Sequence, residues 1–103
     1  MAMLRAFPDA AQSKIVFGIV ALLDDDDIPT ALRALPPAEK AYPKNAALQA
    51  LLGQALADAG DKTGAEQAYR KARVLLPDDE SVGVFRSYWK AQIDRGLKEL
   101  GVQ

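Results

Sequence analysis

Apolar residues recur along this chain with helical spacing. Ile15, Ile19, Leu22 and Leu23 make one stripe; Leu48, Leu51, Leu52, Ala55 and Leu56 a second. Ala65, Ala68, Tyr69, Ala72 and Leu75 or Leu76 make a third, and Val82, Phe85, Trp89, Ile93, Leu97 and Leu100 a fourth. Each recurs every three to four positions, the signature of an amphipathic helix, and no sustained alternation marks a strand. The pattern therefore predicts an all-α chain of about five helices.

Punctuation residues place the ends. Pro8 and Asp9 start a first helix over about 9–23, and the acidic run Asp24 to Asp27 makes a polar turn. Ile28-Pro29-Thr30 restarts the chain, since proline is acceptable in a first helical turn. In the short second helix Leu32 and Leu35 face inward, and Pro36-Pro37 interrupts it because proline lacks an N–H and disfavours helix before it. Residues 38–42 make one further turn before Pro43. Asn45 caps a third helix over about 46–59, and Gly60 ends it. A fourth helix covers about 62–76 and stops at Pro77. The last begins near Asp78-Asp79-Glu80, where acidic side chains favour the positive helix end, and runs to about Leu100. Gly83 and Gly96 weaken it locally.

The stretch from Leu51 to Pro77 carries a more specific pattern. Leu52-Gly53 is followed by Leu56, by Gly60-Asp61 at a turn, by Ala65 with Tyr69 four residues later, then by Ala72 and Pro77. Small residues at Gly53, Ala65 and Ala72 let two helices approach while larger ones fill between them. This resembles the tetratricopeptide repeat, a helix-turn-helix unit of about 34 residues with a Trp-x2-Leu-Gly-x2-Tyr, Ala-x3-Phe, Pro pattern. The clear repeat covers residues 46–79, with Gln49 where the family has tryptophan. A shift of about 34 residues towards the N-terminus maps Pro77 onto Pro43, Ala65 onto Ala31, Ala72 onto Ala38, Leu56 onto Leu22 and Tyr69 onto Leu35. Gly18-Ile19 misses the Leu-Gly pair. Residues 12–45 thus read as a degenerate repeat and 80–103 as a C-terminal capping helix, within one domain spanning 1–103.

The resemblance implies an α-α superhelix that binds a peptide or helix of a partner protein on a concave face lined by the first helix of each repeat. That face would hold Val16, Val20 and Leu23, then Ala47, Ala50, Gln54 and Ala57, then Val84, Tyr88 and Ala91. It is mostly small and apolar and suits an apolar segment laid in a groove. The plainer alternative stays open: Val16, Val20 and Leu23 are core, covered by the N-terminal segment or a second copy. Ala47, Ala50, Leu51 and Gln54 stand where one family subclass clamps a carboxylate with basic and amide side chains, so that mode is not expected. Tyr88-Trp89 has the residue types of an interface hot spot; the plainer reading puts Trp89 in the core and leaves Tyr88 half exposed.

Composition narrows the chemistry. The 103 residues hold neither cysteine nor histidine, which removes disulfides, thiolate metal sites and the usual general base. No cofactor and no enzymatic activity are expected. Asp24 to Asp27 lacks the ligand spacing of a calcium loop and reads as a solvated turn. A net charge of −1 argues against nucleic acid, and Arg70, Lys71 and Arg73 read as a solvated helix face. The apolar run from Ile15 to Leu23 is too short to span a membrane, which takes about 20 residues. It ends in aspartates rather than a cleavage site, so no signal peptide is evident. The compartment stays open, the cytoplasm being favoured and an upstream signal not excluded. Two or so repeats bury little core, whereas such arrays normally want about three. Self-association through the apolar first helix, as a homodimeric scaffold or assembly factor, is therefore the second expectation.

Overall fold

The computed structural model describes residues 10–101. Among them are five α-helices and no strand: α1 (Ala10–Asp24), α2 (Ile28–Ala41), α3 (Ala46–Asp58), α4 (Lys62–Leu75) and α5 (Arg86–Glu99). Two 3-10 helices, Leu76–Asp78 and Glu80–Phe85, join α4 to α5. The all-α class matches the hydrophobic pattern. The start signals Pro8 and Asp9, and residues 102–103 of the C-terminal segment, lie outside the described residues.

Each helix packs on its successor, and α1 and α5 both also pack on α3. α3 is consequently surrounded: Ala46, Ala47, Leu48, Gln49, Ala50, Leu51, Gly53 and Ala55 are all buried. Its alanines are the best helix formers and admit neighbours on several sides at once. Opposite it, α4 buries Ala65, Ala68, Tyr69 and Ala72. The ring of Tyr69 lies over Gly53, where a Cβ would come within 2.9 Å of it. Gln49 is buried and donates from Nε2 to Glu39 Oε2 on α2 at 3.1 Å.

The turn after α1 and the turn after α3 are built alike. Asp26 N–H donates to Leu23 O at 3.0 Å and Asp27 N–H to Leu22 O at 2.8 Å. Gly60 N–H donates to Ala57 O at 3.0 Å and Asp61 N–H to Leu56 O at 2.8 Å. Both are Schellman closures, which need a left-handed residue just past the helix. Gly60 has φ 91° and Asp26 has φ 61°. The following aspartate then caps the next helix: Asp27 accepts from Thr30 N–H at 3.3 Å, and Asp61 from Gly64 N–H at 2.9 Å. The helix-turn-helix formed by α1 and α2 therefore recurs in α3 and α4 at a period of about 34 residues.

Two boundaries differ from expectation. α2 does not break at Pro36-Pro37 but runs through both prolines to Ala41. An interior proline costs a helix about 3 kcal/mol, in part through the missing N–H. Both prolines are exposed, while Leu35 and Ala38 are buried on the other side; packing holds the helix where local propensity would end it. The last helix, conversely, does not start at residues 78–80. Gly83 takes φ 53° and ψ −125°, outside the helical region, so residues 80–85 form a separate 3-10 turn and α5 begins at Arg86. Arg86 bridges the joint by donating to the carbonyls of Leu76 and Asp79. Val82, Trp89, Ile93 and Leu97 stay buried, but the break leaves Phe85 exposed, against its place in the predicted stripe.

Candidate partner-binding groove

The ten residues expected on the concave face divide by burial. Val16, Leu23, Ala47 and Ala50 are between 2% and 7% exposed. All four belong to the hydrophobic core. Val20, Gln54 and Ala57 are half-buried, and Val84, Tyr88 and Ala91 are exposed.

A groove of about 140 Å³ runs where α1, α3 and α5 meet on one side. Val20, Leu23 and Asp24 come from α1, Leu51 and Gln54 from α3, and Tyr88, Trp89, Gln92 and Arg95 from α5. It brings together Val20, Leu23, Gln54 and Tyr88 of the expected set. Ala57, Val84 and Ala91 do not line it, nor do Val16, Ala47 and Ala50. Its character also differs from the small apolar surface expected. Leu23, Leu51 and Trp89 are buried in its floor, and the side chains that reach solvent include Asp24, Gln54, Gln92 and Arg95. The floor residues Leu23, Leu51 and Trp89 are taken up in the core, so what remains for a ligand in the groove is largely hydrogen-bonding and charged, with Val20 and Tyr88 as its apolar part. Tyr88 stands edge-to-face on Trp89 with ring centroids 5.1 Å apart; Trp89 is core and Tyr88 is 51% exposed.

A polar network pins the N-terminal end of α3. Asn45 Oδ1 accepts from Leu48 N–H at 3.0 Å, the cap expected from sequence. Its Nδ2 donates to Gln12 Oε1 on α1 at 2.7 Å and to Ser81 Oγ at 3.3 Å. Asp79 is buried and accepts from Ala46 N–H at 2.6 Å and from Ser81 N–H at 2.9 Å. One carboxylate thus caps α3 and the second 3-10 helix together.

Comparison with protein-family models, curated proteins and solved structures finds no match to this chain. What the surface can do therefore rests on its own residues. No helix among the described residues is long and apolar enough to cross a membrane. Asp26 and Asp27 of the acidic run serve the turn and the cap of α2.

Sequence reasoning missed one surface. Phe17 on α1 is 53% exposed, and its ring meets Phe85 edge-to-face at 6.1 Å. Phe17 falls off the Ile15–Ile19–Leu22–Leu23 stripe by helical geometry, a signal that was present in the spacing.

Proposed function

We propose that this chain is a non-enzymatic protein–protein interaction module of tetratricopeptide type, which takes a peptide or helix of a partner protein in the groove between α1, α3 and α5. The observation that carries the reading is the recurrence of one closure-and-cap geometry after α1 and after α3, at the family's period of about 34 residues. On this reading α1, α3 and α5 are the leading helices of successive units, and the groove lies among them.

The mechanism is passive. A helical stack held by its core presents preset amides at Gln54 and Gln92, opposite charges at Asp24 and Arg95, and the Tyr88 ring. An extended segment would satisfy its backbone on the amides and bury one apolar side chain against Tyr88 and Val20. With neither cysteine nor histidine in the sequence, a catalytic role has little to work with.

The test is selection of binding peptides from a display library on the wild-type chain. It is followed by titration against Gln54→Arg and Tyr88→Ala, two residues outside the buried core. Binding should weaken by about tenfold or more in each, as for truncation of a central interface contact. Amide shifts in the labelled chain should centre on Val20, Gln54, Tyr88 and Arg95. Peptides that bind both variants as tightly as the wild type would place recognition elsewhere.

A further inference from the structure

Among the described residues, the face of α1 turned away from the core is exposed, with Phe85 alone meeting it through the ring of Phe17. Lys14, Phe17, Gly18 and Ala21 are exposed along it, and Asp25 is exposed just past its end. At about 100° per residue these positions fall in one stripe about 100° wide, opposite Val16, Ile19 and Leu23. End helices of repeat arrays normally show water a polar outer face. This one shows an aromatic ring, a glycine and an alanine between one cation and one anion.

The order of those residues is self-complementary. Lys14, Gly18, Ala21 and Asp25 are symmetric about a point midway between Gly18 and Ala21. Laid antiparallel on its own copy about that point, the stripe sets Gly18 opposite Ala21 and Lys14 opposite Asp25, twice over. Among the described residues neither Lys14 nor Asp25 has an ion-pair partner in its own chain. A Cβ on Gly18 would meet nothing within 4 Å, so the backbone there is open to close approach. Phe17, braced by Phe85, flanks the crossing point and supplies the apolar area.

We propose that the outer face of α1 pairs with the same face of a second copy of this chain, helices antiparallel, about a two-fold axis between Gly18 and Ala21. Such an isologous contact closes on itself as a dimer. It uses a stripe of α1 that contains none of the groove's lining residues and does not depend on the groove's role. One face of a helix about 22 Å long buries less than the ~800 Å² per partner of a standard interface, so the association is weak and concentration-dependent.

The experiment is sedimentation velocity on the full chain from about 10 µM to about 1 mM, a range that brackets such an affinity. The expected mass climbs from 11.1 kDa towards twice that value. Ala21→Asp, at an exposed site, should weaken association about tenfold or more while leaving the circular dichroism unchanged, because it sets like charges beside the axis. Lys14→Glu and Asp25→Lys should each weaken it several-fold, and the double variant should restore it, since the ion pairs are then re-formed with signs exchanged. A chain that stays monomeric across the range overturns the proposal. So does association indifferent to Ala21→Asp, or a double variant no better than the singles, which would rule out the antiparallel register.

Discussion

The ring of Tyr69 occupies the space in which Gly96 has no side chain: a Cβ there would run into Cζ of that ring. Gly53 stands on its other helix neighbour, so one tyrosine from α4 is received by a glycine of α3 and a glycine of α5. The ring is 6% exposed and cannot swing out without opening the core. Gly96→Ala should therefore destabilise the fold by about 1–3 kcal/mol, overpacking outweighing the helix propensity gained. Gly18→Ala, where the added methyl meets nothing, should instead stabilise by up to about 1 kcal/mol. Urea unfolding at low protein concentration measures both; equal effects would mean that Tyr69 yields freely.

The same burial makes the phenol a pH sensor for the fold. Burial first, then the nearby carboxylates of Glu99 and Asp58, raise the Tyr69 hydroxyl from its usual 10 to about 12, against a lowering by Arg95. An acid whose folded pKa is raised favours the fold while neutral. That stability is complete below about pH 10 and is lost as pH rises towards 12, because the unfolded chain releases the proton first. The loss amounts to about 2–3 kcal/mol. Tyr69→Phe should flatten the fall in stability across this window relative to wild type, in urea titrations at stepped pH. Parallel curves for the two chains would remove Tyr69 as its source.

Asp26 holds a left-handed conformation that its counterpart Gly60 adopts without strain. An L-residue there costs about 1–2 kcal/mol, less for aspartate, and glycine returns part of the gain as chain entropy. Asp26→Gly should raise stability by about 0.5–1 kcal/mol and the melting temperature by a few degrees. Scanning calorimetry decides it. A lowered melting temperature would show that the Asp26 carboxylate, and not the turn geometry, matters at this position.

What was legible in the sequence follows from range. α3 and α4 are recoverable from spacing because Asn45, Gly60 and Asp61 act on backbone three to five residues away. Pro36-Pro37 misled because its local cost is overridden by burial of Leu35 and Ala38 against other helices, which no window of sequence contains. Gly83 misled in the opposite sense. A tolerated helix glycine and a break read alike until Arg86 is seen holding two upstream carbonyls. The groove was half visible. The resemblance points to Val20, Leu23, Gln54 and Tyr88, but whether Ala47 and Ala50 face a partner or a neighbouring helix depends on how closely α3 is surrounded.

Asp79 shows the same limit and carries the last test. Its acidic neighbourhood reads as an ordinary helix start, and it does cap the 3-10 turn through Ser81. Its second oxygen, however, accepts from Ala46 N–H at 2.6 Å, in the first turn of a helix far away in sequence. Asp79→Ala would leave that buried N–H without a partner and remove a cap, together costing about 2–3 kcal/mol. Asp78→Ala, at an exposed neighbour with the same charge, should cost no more than about 0.5 kcal/mol. The pair separates a positioned carboxylate from a general acidic preference at a helix start. Hydrogen exchange at Ala46 should accelerate in Asp79→Ala alone. If both variants lose the same small amount, the Asp79–Ala46 hydrogen bond adds nothing to the cap that Asn45 already gives α3.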